Sequence, residues 1–162
     1  MPYFFATRSG DQVEITGQDA RHLALSLRAR PGERISVVEP AGRLLTVRLD
    51  AVSPTRISGS VEAELEHHPE PKLSLTMAVA MLPAAPLELV LSRCTEAGAA
   101  RFIMVDAGRS ISRASKPGRW ATICREAAML AGRLAVPEVV GPLPFRTAWE
   151  QAQDPWLFDR SG

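Results

Sequence analysis

Arginines at two places in this chain are spaced as if to grip phosphate. The first cluster runs Arg21-His22-Leu23, then Leu27-Arg28-Ala29-Arg30, into Pro31-Gly32-Glu33. A short basic helix entering a turn can present guanidinium forks to a nucleic-acid backbone. A solvated helix face explains the same pattern equally well. The second cluster runs from Arg125-Glu126 to Gly132-Arg133 and on into Val136-Pro137. Arg125 and Arg133 lie two helical turns apart and flank Glu126; Arg93 and Glu96 make a similar charged pair upstream. Spacing alone favours surface ion pairing for this second cluster. Seventeen of the nineteen basic residues are Arg, and a planar guanidinium matches phosphate better than an ammonium does.

Other chemistries lack their residues. Gly98, Gly108 and Gly118 are ten apart, unlike a phosphate-cradling glycine loop. There is no G-x-S-x-G elbow and no H-E-x-x-H motif. His22 is expected to cap or pack on its own short helix. His67 and His68 are expected to be solvated in a linker. Cys94 and Cys124 fall on apolar helix faces and read as buried thiols, with no histidine or cysteine at ligand spacing, so no metal site is expected.

These groups must be positioned by a chain of 162 residues with net charge +1, 46% hydrophobic and 23% charged. That suits a packed protein of one ordinary domain or two small ones. The charge is uneven. Residues 1–70 hold eight arginines against ten carboxylates, and residues 71–162 hold eleven basic against eight acidic residues. The stretch 101–133 alone has seven basic and two acidic residues. Local phosphate binding fits this better than general polyanion binding. No apolar run has membrane-span length, and the first residues do not read as a secretory signal, so a cytoplasmic protein is expected.

The apolar period divides the chain near residues 62–72, a charged stretch with two prolines. Before it, short alternating strands are expected at 4–6, 12–15, 33–39, 44–49 and 56–64, with a short helix over 20–27. Together they make a small β-barrel. After it, a long strand over 73–82, a helix from Pro86 closed by Gly98, and a strand over 102–105 form a right-handed βαβ unit. A second helix starts at Pro117 with Trp120, Ile123, Cys124, Ala127 and Ala131 on one stripe. Residues 137–142 read as an extended connector, Thr147 as the cap of a short helix, and Pro155–Phe158 as a third strand.

Three stretches carry a family resemblance: ARHLALSLRARPGERISVVEPAGR (20–43), LELVLSRCTEAGAARFIMVDAGRSIS (87–112) and RWATICREAAMLAGRLAVPEV (119–139). In order and spacing the chain resembles the ribosomal RNA small subunit methyltransferase E (RsmE) family. The resemblance implies a PUA-like RNA-binding β-barrel over 1–70 and, over 71–162, the first part of a SPOUT domain, an α/β-knot methyltransferase fold with a parallel sheet. It implies S-adenosylmethionine as methyl donor, N3 of a uridine in 16S ribosomal RNA as acceptor, and a homodimer working on 16S rRNA or the small ribosomal subunit. Taken with the Arg clusters, it gives an expected RNA-binding set of Arg21, His22, Arg28, Arg30, Arg43, Arg109 and Arg133. Glu96 and Arg125 are substrate-side candidates.

The sequence departs from the family pattern at Tyr3, where an Arg is usual nearby, and at Ala97-Gly98-Ala99, where the family has Leu-Gly-Val. Ala84-Ala85 stand in place of a Lys, and Leu130 in place of a Gln. The family's G-P-E-G-G loop and late L-G-x-x-I-L-R-x-E-T-A segment are expected after Phe158 and are absent from the sequence. On this reading the fold is C-terminally incomplete and these residues lack the cofactor pocket. The alternative is a non-catalytic RNA-binding protein.

Overall fold

The structure, a computed structural model, describes residues 3–40, 42–67, 69–110, 115–152 and 154–158. The chain divides into two compact units, Met1–Pro71 with Ala128–Ala135, and Lys72–Ala127 with Val136–Gly162.

The first unit is strand-rich. Its strands are β1 (Phe4–Phe5), β2 (Thr7–Ser9), β3 (Gln12–Thr16), β4 (Arg34–Val38), β5 (Leu44–Val52) and β6 (Arg56–Leu65). They form one mixed sheet in the order β1-β4-β5-β6-β3-β2, with β1 parallel to β4 and every other pair antiparallel. Only Ala6 separates β1 from β2, yet they occupy opposite ends of that order. The sheet must therefore curl until its edges meet at Ala6, which is buried and donates its N–H to Val38 O at 3.0 Å. Period-two alternation fills the inside: Val13 and Ile15, Ile35 and Val37, and Leu45, Val47 and Leu49 point into one core. Gly59 is required where β6 crosses β5. A Cβ there would stand 2.5 Å from Val47 Cγ1 and 2.7 Å from the Arg48 carbonyl.

The curled sheet is plugged by α1 (Gly17–Arg21), which continues as a π-helical turn over His22–Ser26. Ala20 and Leu23 drop into the core. Thr16 precedes the helix but makes no side-chain cap.

Among the described residues the second unit has three parallel strands, β7 (Thr76–Ala80), β8 (Arg101–Asp106) and β9 (Glu138–Pro144), in the order β7-β8-β9. Helix α2 (Ala84–Glu96) connects β7 to β8, α3 (Pro117–Ala131) precedes β9, and α4 (Phe145–Glu150) follows it. The central strand is buried on both faces, as a covered parallel sheet demands. Phe102 and Met104 pack with Leu87 and Leu91 of α2 and Trp120, Ile123 and Cys124 of α3. Ile103 and Val105 face the other way, onto Ala148 of α4.

Four expectations fail here. The third strand is β9, not Pro155–Phe158, which is exposed and outside any strand. Its prolines disguised it. Among the described residues β9 lies at the edge of the sheet, where proline is tolerated, and a register shift between Ile103 and Val105 absorbs Gly141 and Pro142. The long strand over 73–82 shrinks to β7, leaving Leu73 and Leu75 exposed. Ala131 is exposed and off the apolar stripe of α3. Thr147 lies inside α4, whose N-cap is Pro144.

Candidate nucleic-acid interface

Local backbone geometry builds the first Arg cluster into a fixed feature. The π turn is closed by Leu27 N–H donating to His22 O at 3.1 Å, and Ala29 N–H reaches back to Leu23 O at 3.0 Å. The residue between, Arg28, stands in the left-handed region at φ 54°. Glycine is the usual occupant of such a helix-closing position, because a Cβ there costs roughly 1–2 kcal/mol. An arginine held there by the surrounding hydrogen bonds is the kind of local strain that collects at functional sites. Arg21, His22, Arg28 and Arg30 are all exposed. Apolar Leu25 and Leu27 are exposed between them.

Electrostatics separates this segment from the rest of its unit. The strand arginines are neutralised in place. Arg34 reaches Glu62 at 2.6 Å, Arg56 reaches Glu14 at 2.8 Å and Arg48 reaches Glu62 at 3.5 Å. Arg8 lies 2.5 Å from Glu64 and 3.7 Å from buried Glu39. The hydrogen bond from Arg8 holds the Glu64 carboxyl below the usual glutamate range, and the same bond raises Arg8. Among the described residues, no carboxylate forms an ion pair with Arg21, Arg28 or Arg30. Positive charge therefore stays uncompensated at residues 21–30 while it is cancelled across the sheet.

The other expected site residues fall into different settings. Arg43 is half exposed, but its guanidinium pairs with buried Glu39 and lies 3.4 Å from Glu64. Arg109 is exposed in the turn that follows β8, at the carboxyl end of the central strand. That turn is self-closing: Ser110 N–H donates to Ala107 O, and Ala107 N–H to Ser110 Oγ. Glu96 ends α2 and accepts from Arg93 at 2.8 Å and Ser92 at 3.0 Å; the Arg93 bond, then the Ser92 bond, hold its carboxyl low. Arg125 is half-buried on α3. Arg133 is buried in the first unit, its Nε 3.0 Å from a Glu70 carboxylate oxygen. Among these residues, the structure gathers Arg21, His22, Arg28 and Arg30 on one continuous segment.

Sequence reasoning missed Glu39, Glu70 and His67. Nothing in the spacing announces Glu70, whose partner Arg133 lies 63 positions away. His67 is not simply solvated. Its ring meets Tyr3 edge-on at 5.7 Å, and its Nε2 lies 3.2 Å from Gly132 O. His68 lies outside the described residues.

The curled strand unit with its basic helix is joined in sequence to a parallel sheet covered by helices. The chain belongs to the RNA methyltransferase domain family, whose model matches residues 68–160. Within it the chain is RsmE-like. It is 26% identical over 166 positions to ribosomal RNA small subunit methyltransferase E of Bacillus subtilis, covering 95% of this chain and 65% of that protein. It is also 26% identical over 145 positions to the Synechocystis protein of the same name, covering 88% of this chain and 47% of that one. The crystal structure of the Neisseria gonorrhoeae methyltransferase of that name, bound to S-adenosyl methionine, superposes with a TM-score of 0.85 at 27% identity. That match covers 95% of this chain and 66% of that one. The chain thus spans just under two thirds of the length of its B. subtilis relative.

Proposed function

We propose that this chain is the RNA-reading unit and sheet scaffold of a methyltransferase acting on N3 of a uridine in 16S ribosomal RNA, with S-adenosylmethionine as donor. On this reading the strand-rich residues 1–70 are PUA-like, and residues 71–162 begin a SPOUT domain. The protein works as a homodimer on the small ribosomal subunit in the cytoplasm. The uncompensated basic segment 21–30, fixed by the Arg28 turn, carries the RNA part of the proposal. Arg28 and Arg30 offer forks to phosphate oxygens, with Arg21 and His22 alongside. Arg109, at the strand end where α/β sheets place their ligands, is a second contact.

The reaction replaces the N3–H bond of uridine with an N3–CH3 bond and releases a proton. It requires the base to be turned out of its stack. The donor supplies an electrophilic methyl group. The described residues at the strand ends do not by themselves fit that donor. In the 107–110 turn Ala107 and Ser110 bond to each other, and no run of glycines follows β7, β8 or β9 among the described residues. Glu96, held ionised by Arg93 and Ser92, suits orientation of a polar partner better than proton removal.

The test is to isolate the protein from its own cells, incubate it with 16S rRNA and S-adenosylmethionine, and digest to nucleosides for mass spectrometry. 3-Methyluridine is the expected product, and its absence alongside RNA binding selects the second reading. That reading, a non-catalytic RNA-binding protein, is favoured by one observation: where the resembling family has a Gln, this chain has Leu130, which is 76% exposed.

A further inference from the structure

The eight residues Ala128–Ala135 cluster with the strand-rich unit, although the chain before and after them belongs to the parallel one. Their anchorage has an apolar part and a polar part. Met129 enters the core of the curled sheet, and its carbonyl accepts the Tyr3 N–H at 3.3 Å. Gly132, at φ +68°, then reverses the chain. Arg133 N–H reaches Ala128 O at 2.9 Å and Gly132 N–H reaches Met129 O, the paired bonds of a Schellman closure.

The polar part centres on Glu70, which lies between Pro69 and Pro71. Its Oε2 takes the Arg133 Nε at 3.0 Å and also the terminal guanidinium nitrogen Nη2. Its Oε1 takes the N–H of Leu134 at 2.9 Å and of Ala135 at 3.1 Å. One carboxylate thus gathers a buried guanidinium and two backbone donors that follow a helix end.

We propose that Glu70 and Arg133 form a polar latch that fastens the strap 128–135 to the strand-rich unit, and that the strap opens as a local unit when the latch is broken. A charged latch suits a segment meant to release. Removing one partner breaks the Glu70–Arg133 contact without dissolving the apolar core beside it, whereas an apolar strap would detach only with that core. This also gives Arg133 a duty inside the protein, in place of the RNA contact implied by family resemblance, and it does not depend on the RNA reading.

The test is hydrogen exchange on the full chain, comparing wild type with Glu70→Gln, Arg133→Met and the charge reversal Glu70→Arg/Arg133→Glu. In the single variants, amides of 128–135 and those of His67 and Glu70 are expected to exchange about tenfold faster or more, while those of β4, β5 and β6 keep their wild-type rates. The reversal is expected not to restore protection, because an arginine at 70 cannot accept from Leu134 and Ala135. Equal acceleration across β4–β6 would reduce the pair to an ordinary contribution to global stability and overturn the latch. Unchanged exchange in 128–135 would overturn it too. Circular dichroism of each variant confirms that the exchange is read on folded protein.

Discussion

Leu23 and Ala29 are joined by a 3.0 Å hydrogen bond that runs from the Ala29 N–H back to the Leu23 carbonyl, and Arg28 is held at φ 54° inside that loop. Side chain and backbone therefore make opposite demands at position 28. Arg28→Gly removes roughly 1 kcal/mol of left-handed strain, so the melting temperature is expected to hold or rise. RNA affinity is expected to fall at the same time, and the slope of log affinity against log salt to shrink by about 0.7 for the lost phosphate contact on a single strand. Thermal melts paired with fluorescence anisotropy at several salt concentrations read both. Wild-type affinity and slope in Arg28→Gly would remove Arg28 from the interface.

The contrast between compensated and uncompensated arginines can be tested at constant charge. Replacing Arg21, Arg28 and Arg30 with alanine removes three positive charges, as does replacing Arg34, Arg48 and Arg56. The first set makes no ion pair among the described residues, while the second is paired with Glu62 and Glu14. The first triple variant is expected to lose RNA affinity by about tenfold or more, and the second by far less, in anisotropy titrations at equal salt. Equal losses would mean that only net charge matters.

Arg43 is expected to behave as a structural residue. It is 54% exposed, but its partner Glu39 is 4% exposed. Arg43→Ala leaves a buried carboxylate with less compensation, for a loss of about 1–2 kcal/mol after discounting for the solvent around the arginine. Urea denaturation measures this, and RNA affinity is expected to stay within about twofold of wild type if Arg43 carries no phosphate contact.

Two glycines of α3 and its closing turn should respond in opposite directions to the same change. Gly132 stands at φ +68°, and a Cβ there would lie 3.3 Å from Tyr3 Cε2. Gly132→Ala is expected to lose about 1–2 kcal/mol. Gly118, in the first turn of α3, has open space around its Cβ position, so Gly118→Ala is expected to gain about 0.5–1 kcal/mol. Chemical denaturation of both variants gives the comparison, and a matching sign would contradict it.

What could be read from the sequence follows the range of the interactions involved. Alternation placed the strands of the curled sheet other than β2, because one buried face leaves a period of two along each strand. Helical spacing placed α2 and α3 through Leu87, Leu91, Trp120, Ile123 and Cys124. Gly98 marked a helix end because left-handed closure favours glycine. β9 escaped, since Pro142 and Pro144 mimic a connector and edge pairing is visible only in three dimensions. Leu73 and Leu75 look like strand residues in sequence, yet the paired strand begins only at Thr76. At the candidate site, the basic residues of 21–30 were visible as a cluster. Their difference from Arg8, Arg34, Arg43 and Arg56 was not, because it depends on carboxylates brought alongside by pairing of distant strands. Glu70 and Arg133 were hidden for the same reason.

The Glu70 latch also predicts how stability should follow acidity. Burial alone would push the Glu70 carboxyl upward. The Arg133 guanidinium and the Ala135 and Leu134 N–H groups outweigh it and leave the group below its ordinary value of 4.5. A carboxyl with a lowered value in the folded state stabilises the fold fully above its unfolded value. That contribution disappears as pH falls through the lower, folded one. Glu70→Gln cannot ionise, so it lacks the contribution at every pH. The stability gap between wild type and Glu70→Gln is therefore expected to be widest above about pH 5 and to narrow steadily toward about pH 3. Urea denaturation of the two proteins across that range measures the gap. A gap that stays constant, or widens toward acid, would show that the Glu70 charge does not hold the strap.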